Sequence, residues 1–383
     1  MHILMISLDR GLLGRGQLGD VIERHKIYGE AVASLDIIVF SRAGFCENKI
    51  SENVTAIPTN SKNKLGYYFD SLKLGCQICQ SKKIDLIVTH EPFITGLVGY
   101  KLGKKYNAKV LMHLHGDYLF NNYWLKEQKI YYLLLMPLAR YLVRRADALR
   151  VMSEGIKEKV QKLGVPAEII QVINTPVDVE KFEHPDPQKV QAIKNKYQGK
   201  KIILFVGRLE KVKDIPTLIM AFASANAKYN DAVLLIAGEG KLKKKLQATS
   251  YKPKDDPPRA VYFIGQISHA DLINYYHACS FIALSSFSES FGKIVLEAAA
   301  AKKPTVATEV TGTKDTIKNG ETGFLVPVGD SEKLAEKMLA LLQSDELQNR
   351  LGEHAYEFIK EKFNWKKNLK TVTDYWQEII SKK

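Results

Sequence analysis

Cysteine is scarce in this chain: Cys46, Cys76, Cys79 and Cys279 are the only four in 383 residues. So few thiols cannot staple a chain of this length, which excludes the disulfide scaffolds of small secreted domains. No basic and apolar leader precedes the first strand-like run, His2 to Leu8, so a cytoplasmic protein is expected. Long apolar runs are lacking too. The longest, Ile130 to Ala139, is broken by Pro137 and flanked by charge, whereas a membrane span needs ~20 apolar residues. Glycine and proline, at 25 and 13 residues, are not enriched, and no low-complexity tract or short repeat occurs, which excludes fibrous and disordered classes. Acidic residues are the minority, 42 against 56 Lys and Arg, and the formal charge of +14 biases partners toward anions such as nucleotide phosphates, acidic headgroups or nucleic acid.

At a soft prior of about 150 residues per domain, this length holds two or three cores. Apolar runs rich in Ile, Val and Leu recur at His2 to Leu8, Asp36 to Phe40, Ile84 to Thr89, Lys109 to His115 and Ala148 to Met152. A second series runs through Lys201 to Val206, Ala232 to Ala237, Val261 to Ile264, Ser280 to Leu284 and Thr305 to Ala307. Each reads as a strand buried on both faces. Helical-length segments such as Phe93 to Tyr106 and Gln128 to Arg145 lie between them, so the pattern is two doubly wound parallel sheets. Pro176, Pro185 and Pro187 mark the boundary between them. The expected domains are 1–178, 179–364 and a helix over 365–383 whose Leu369, Val372, Tyr375, Trp376 and Ile379 share an apolar face that must dock. Cys76 and Cys79 form a CxxC spacing inside the helix-like stretch Tyr68 to Lys82 with no second pair, which favours helix packing over redox or metal chemistry.

Ligands of open parallel sheets bind beyond the carboxyl ends of the strands, so the loops there carry the candidates. Glu289-Ser-Phe-Gly292 follows one strand, and Glu297 lies on the next helix. Two carboxylates so placed can accept from vicinal hydroxyls of a sugar and a ribose, and the amides at Gly292 to Ile294 can hold an anion. An acidic residue early in a helix is equally a dipole-stabilising device without a ligand. Arg208 beside Gly207 stands out as a fork for phosphate, while Lys211 and Lys213 taken singly read as solvated lysines. Gly238 and Gly265 read as ordinary turn chemistry. In the first half, Asp9-Arg-Gly11-Leu-Leu-Gly14-Arg-Gly16-Gln-Leu-Gly19-Asp20 permits close backbone approach to a ligand. His113 and His115 end another strand on one face, and His115 is preferred because it is nearer the carboxyl end.

The string Glu289-Ser-Phe-Gly-Lys-Ile-Val-Leu-Glu297-Ala-Ala-Ala-Ala-Lys-Lys-Pro304-Thr-Val-Ala307 resembles the donor-site signature of retaining glycosyltransferases of family 4. Val206-Gly-Arg208-Leu-Glu-Lys-Val-Lys213, Ile236-Ala-Gly238-Glu-Gly240, Val261-Tyr-Phe-Ile-Gly265-Gln-Ile267, Gly320-Glu-Thr-Gly323-Phe-Leu-Val-Pro327 and His115-Gly116-Asp117 are similar to further family stretches in the same order. The resemblance covers almost the whole chain. Departures are Asp214 where the family has Gly or a small polar residue, Pro176 in place of a hinge glycine in Thr175-Pro-Val-Asp178, and non-adjacent glycines in the first loop.

The resemblance implies the GT-B fold, in which two Rossmann-like domains face across a cleft and the C-terminal helix returns to the first. It implies retaining transfer of a hexosyl unit from a nucleoside diphosphate sugar, with UDP favoured and GDP second, to an acceptor hydroxyl of a lipid-linked or cell-envelope glycan. The implied catalytic set is His115, Arg208, Lys213 and Glu289. The implied donor-binding set is Gly14, Gly16, Gly207, Gly238, Gly265, Ser290, Phe291, Gly292, Lys293, Ile294 and Glu297, with no metal and no cofactor. Rivals are a nucleotide-sugar epimerase, a phosphorylase-like enzyme, and, from another class, a basic nucleic-acid-binding protein recognised by steep salt dependence. Residues 101–150 hold ten Lys or Arg against three acids, with Tyr118, Phe120, Tyr123, Trp124, Tyr131, Tyr132 and Tyr141 around the apolar run. That composition suits peripheral contact with an anionic membrane on its inner face, and equally a buried helix with a solvated basic end.

Overall fold

The computed structural model describes residues 1–14, 20–117, 119, 129–175, 177–250 and 260–382. The chain forms two units. Met1–Asn174 and Lys366–Lys383 make the first, and Thr175–Trp365 the second.

In the first unit the strands are β1 (His2–Ser7), β2 (Ser34–Val39), β3 (Asn48–Ser51), β4 (Val54–Pro58), β5 (Leu86–Thr89), β6 (Lys109–Leu114), β7 (Ala148–Val151) and β8 (Ile170–Val172). They are ordered β3-β4-β2-β1-β5-β6-β7-β8. All pairs are parallel except β3 with β4, which is antiparallel. This corrects the expectation of a purely parallel sheet. The β3–β4 hairpin forms the edge, and an antiparallel edge on a parallel sheet needs only a two-residue turn, here Glu52 and Asn53. The apolar runs that read as doubly buried strands are so: Ile3, Leu4, Ile6, Leu86, Ile87 and Val88 have no exposed surface. Cys76 and Cys79 lie on the helix Gly66–Ser81 as free thiols against the core cluster of Leu4, Ile87, Val98 and Leu102, and burial pushes the Cys79 thiol up to about 11. Packing, not redox chemistry, accounts for them.

The C-terminal helix Trp365–Ser381 supplies the first unit with Leu369, Val372, Tyr375, Trp376 and Ile379, each 6% exposed or less. Their spacing of three and four residues puts them on one stripe. Trp376 packs at 5.2 Å between ring centroids on Tyr28, and the Tyr375 hydroxyl donates to the Ile169 carbonyl at 3.2 Å.

The second unit holds β9 (Lys201–Val206), β10 (Ala232–Ala237), β11 (Val261–Gly265), β12 (Phe281–Leu284), β13 (Thr305–Thr308) and β14 (Gly323–Val326), ordered β11-β10-β9-β12-β13-β14 and parallel throughout. The chain builds outward from β9 in one direction, then jumps to β12 on the other side. A crevice opens at such a reversal because the helices after β9 and β12 lie on opposite faces of the sheet. The helices are closed by side chains that accept from orphan amides. Ser268, Asp330 and Ser344 cap His269–Ala278, Ser331–Gln343 and Asp345–Lys362.

Candidate active site

The loops that follow β9 and β12 meet at this reversal, and the backbone ties them before any side chain does. Phe287 N–H donates to the Val212 carbonyl at 2.8 Å, and Ser285 Oγ reaches the carbonyls of Lys213 and Asp214 at 2.9 and 2.8 Å. Thr308 Oγ1 donates to the Ser286 carbonyl at 2.6 Å, adding the end of β13 to the lattice. On this base Lys213 Nζ donates to Glu289 Oε1 at 2.5 Å, and Ser286 Oγ donates to the same oxygen at 2.7 Å. Both partners are mostly buried, with 12% and 13% of their side chains exposed. A cation and a carboxylate 76 positions apart in sequence are thereby held at the crevice, ready to meet an anion and a hydroxylated ligand.

Asp214 explains its own departure from the family pattern. It lies at φ +42°, the left-handed region that favours glycine and tolerates Asp, between the turn Lys211–Lys213 and the helix Ile215–Tyr229.

Three candidate glycines form a collar at the ends of β9, β10 and β11. Gly207 N–H donates to the Ala237 carbonyl at 3.0 Å and Gly238 N–H to the Gly265 carbonyl at 2.7 Å. Gly238 sits at φ +139°, and a Cβ there would lie 1.9 Å from the Gly207 carbonyl oxygen. Gly238 is glycine because the Gly207 backbone passes too closely for any side chain, whereas a Cβ at Gly207 would first meet the Phe205 ring, at 3.1 Å, and Gly265 sits at φ +75°. Arg208 is exposed beside the collar and pairs with Glu210 at 3.3 Å.

Gly292, at φ +69°, turns the chain into the helix Lys293–Ala300. Gly312 allows this turn to close: a Cβ there would meet Phe291 N at 2.4 Å. Phe291 is buried against Phe363, 5.5 Å between centroids, so its side chain serves the core, while Ser290, Lys293 and Ile294 are half-buried. Glu297 is 5% exposed and accepts from the Tyr276 hydroxyl at 2.8 Å, with His269 Nε2 and Lys293 Nζ at 3.4 and 3.7 Å from its other oxygen. Tyr276 is fully buried, and burial followed by the adjoining carboxylate pushes its phenol well above the ordinary range. Glu297→Ala removes the acceptor of a buried hydroxyl, which costs about 1–3 kcal/mol. Glu297→Gln keeps one, so thermal melts should show a loss for Ala and little change for Gln.

In the first unit the corresponding reversal lies between β1 and β5. Gly14 is at φ +76°, ending a short turn in which Leu12 and Leu13 are buried and Asp9 accepts from Gly11 N–H at 2.9 Å. Gly16 lies outside the described residues. His115 follows β6 and is half-buried. His113 beside it is 2% exposed, and neither ring nitrogen finds a hydrogen-bond partner among the described residues. His90, which the sequence reading passed over, joins them: its ring centroid lies 6.1 Å from that of His113 and 5.2 Å from that of His115. It directly follows an apolar run, so the rule that selected His115 also selects it. Burial first, then the fields of Arg150 and Arg24 and of neighbouring imidazoles, holds His90 at about 3 and His113 and His115 well below the usual range, so all three are neutral at pH 7. Asp117 is nearly buried and ion-paired with Lys159.

Residues 186–358 match the family described as glycosyl transferases group 1, and residues 33–181 match glycosyltransferase family 4. The chain belongs to the group 1 glycosyltransferases of family 4 type. It is 28% identical over 316 residues to an uncharacterized glycosyltransferase of Methanocaldococcus jannaschii, covering 82% of this chain and 81% of that one. Among solved structures, the sucrose-phosphate synthase of Thermosynechococcus elongatus aligns over all of both chains with a TM-score of 0.85 at 21% identity. Anabaena HepE, solved with UDP and glucose, aligns over 99% of this glycosyltransferase and 100% of its own chain with a TM-score of 0.79 at 18% identity. The fold is GT-B, and the enzyme is a transferase.

Proposed function

We propose that this glycosyltransferase moves a hexosyl unit from a nucleoside diphosphate sugar, UDP-linked in preference to GDP-linked, to an acceptor hydroxyl with retention at the anomeric carbon. One observation carries the reading: the Lys213–Glu289 pair, with the glycine collar beside it, lies at the carboxyl ends of β9 and β12, where the second unit reverses direction. On donor binding, Lys213 turns to the diphosphate as a point charge, exposed Arg208 exchanges Glu210 for a phosphate oxygen, and the amides of Gly292, Lys293 and Ile294 face the same negative charge. Glu289, still held by Ser286, accepts from sugar hydroxyls, and Glu297 from the ribose. Bare backbone at Gly207, Gly238 and Gly265 lets the nucleoside lie close, and Ser290 and Phe291 hold the loop. The family resemblance assigns His115, Gly14 and Gly16 to the donor as well. As charge builds on the departing diphosphate, the two cations and the amides stabilise it, so chelation with EDTA should leave most turnover.

The HepE structure with UDP and glucose supports the choice of UDP by likeness of fold. Thermal melts with UDP, GDP and ADP and their sugar conjugates should show the largest rise for UDP, since binding to the native state adds stability by mass action. With the matching α-linked donor, proton NMR of the first-formed product should show an α anomer. A β product excludes the retaining mechanism.

The acceptor is proposed to be a lipid-linked or envelope glycan met at an anionic membrane. Among the described residues no helix is long and apolar enough to span one. Exposed Leu134 and Tyr141, the latter under Arg145 at 5.4 Å, support contact by the helix Lys129–Val143. Arg144 is occupied by the Leu163 carbonyl at 2.6 Å, and Tyr118, Phe120, Tyr123 and Trp124 lie outside the described residues. Leu134→Ser with Arg145→Gln should lower sedimentation with anionic liposomes relative to the parent, and equal sedimentation returns this helix to a purely structural role.

A further inference from the structure

Leu65, Phe69 and Leu134 are the most exposed large apolar side chains among the described residues, at 79%, 67% and 74%. Leu65 and Phe69 stand at the start of the helix Gly66–Ser81, and Leu134 lies in the second turn of the helix Lys129–Val143. The helix Ile94–Tyr106 packs between these two, so the three lie side by side on one face of the first sheet. They follow β4, β5 and β6, which all run parallel with β1, so each helix begins at the carboxyl edge of the sheet and the three apolar residues gather toward that edge. We propose that this three-helix face lies on an anionic lipid surface, with Leu65 and Phe69 entering the hydrocarbon beside Leu134 and the surrounding lysines resting on lipid phosphates. The inference rests on an acceptor met at an anionic membrane, and extends the contact from one helix to three.

Charge decides the occupant. Lys62, Lys64, Lys73, Lys101, Lys104 and Lys105 are exposed around the apolar residues, and the helices Gly66–Ser81 and Ile94–Tyr106 carry a single acid, Asp70. None of the six lysines pairs with a carboxylate among the described residues. Elsewhere on the surface acids close the lysines, as Asp36 does Lys82, Asp147 does Lys109 and Asp271 does Lys189. Unpaired cations around exposed leucine and phenylalanine need a partner that offers negative charge and hydrocarbon together, and an anionic lipid surface does. A second copy of the chain on this face would set lysine against lysine, and nucleic acid would leave Leu65 and Leu134 without an apolar partner. Aromatic rings tie the helices into one surface: Lys101 lies over the Tyr68 ring at 5.3 Å, and the hydroxyls of Tyr100 and Tyr141 stand 3.4 Å apart. Neighbouring helix axes lie about 8–10 Å apart, so the Leu65 and Leu134 helices straddle about 16–20 Å. Lys104, Lys105 and Arg145 close the far ends of their helices, which sets the carboxyl edge deepest in the lipid. That edge carries the loops after β5 and β6, so a lipid-borne acceptor reaches them without leaving the interface.

Vesicle sedimentation of the full chain is the test, with phosphatidylglycerol mixed into phosphatidylcholine as the anionic surface and phosphatidylcholine alone as the neutral one. The parent should sediment with the anionic vesicles and far less with the neutral ones. Leu65→Ser with Phe69→Ser should lower the partition coefficient at least about tenfold, since two side chains no longer enter hydrocarbon. Lys104→Gln with Lys105→Gln should lower it about fivefold for each charge removed at low salt. Side chains this exposed hold little of the fold, so the variants should melt with the parent. A Leu65 and Phe69 variant that sediments as the parent overturns the proposal, and a loss confined to Leu134→Ser with Arg145→Gln then leaves the contact by Lys129–Val143 standing alone. A loss in the Leu65 and Phe69 variant with none in the Leu134 and Arg145 variant keeps this surface and removes that helix from it. A parent that stays in the supernatant overturns both. A dimer in analytical ultracentrifugation that Phe69→Ser dissociates overturns the lipid as occupant in favour of a second copy.

Discussion

Replacing Lys213 by Ala should lower kcat/KM for sugar transfer by about 10²–10³-fold while moving the melting temperature little. A preorganised donor aimed at developing transition-state charge has this worth in a site partly shielded from water. In the free protein Lys213 neutralises Glu289 at 2.5 Å, and 12% exposure of the lysine side chain gives the cation little water to lose. The pair thus holds a partly desolvated charge where a diphosphate is to depart. Without the lysine, Glu289 still has Ser286 and partial exposure, so the fold loses a contact without gaining a stranded buried charge. Lys213→Arg should recover only part of the rate, because a planar fork cannot occupy the place of a point charge tied to one carboxylate oxygen. Steady-state kinetics with the nucleotide sugar that gives the largest thermal shift decide it. A Lys213→Ala enzyme within threefold of the parent removes the lysine from the chemistry.

Gly238→Ala should destabilise the second unit by about 3 kcal/mol or more and abolish measurable nucleotide binding. Two costs coincide. The backbone at φ +139° is one that L side chains rarely adopt, at about 1–3 kcal/mol, and the new Cβ would stand 1.9 Å from the Gly207 carbonyl oxygen. That oxygen belongs to backbone and cannot rotate away. Relief requires parting the ends of β9 and β10, which breaks the Gly207-to-Ala237 hydrogen bond and disorganises the loop that carries Arg208 and Lys213. Gly320→Ala is a control at φ +80° with open space around it, and should show only the conformational cost. Differential scanning calorimetry with a nucleotide titration measures both effects. A melting temperature for Gly238→Ala equal to that of the control would mean that the collar tolerates a side chain.

The strands that position the site were legible because burial on both faces leaves nothing but apolar residues. β1, β5, β9, β10 and β12 announce themselves as runs such as Ile202-Ile-Leu-Phe205. The strands missed are short, edge-lying or half-polar. In β3 only Ile50 is buried, and Asn48-Lys-Ile-Ser51 has the composition of a loop, its strand character coming from pairing with β4. Glu289 and Glu297 were found because the spacing between them is local. Lys213 was named too, but its pairing with Glu289 was not legible across 76 positions, and Tyr276, 21 positions before Glu297 on another helix, was not found at all.

The sequence by itself determined the class of the fold, the order of its elements and the stretches that carry donor chemistry. These rest on apolar periodicity, turn residues and contiguous motifs, which act over a few residues and are written linearly. Only the tertiary structure decided that Glu297 is held by a buried tyrosine, that Lys213 closes on Glu289, that Gly238 has no room for a single carbon, and that His90 joins His113 and His115. The first is a contact between two helices and the others depend on the distance between strand ends set by sheet order, since parallel pairing brings together residues that the chain keeps tens of positions apart.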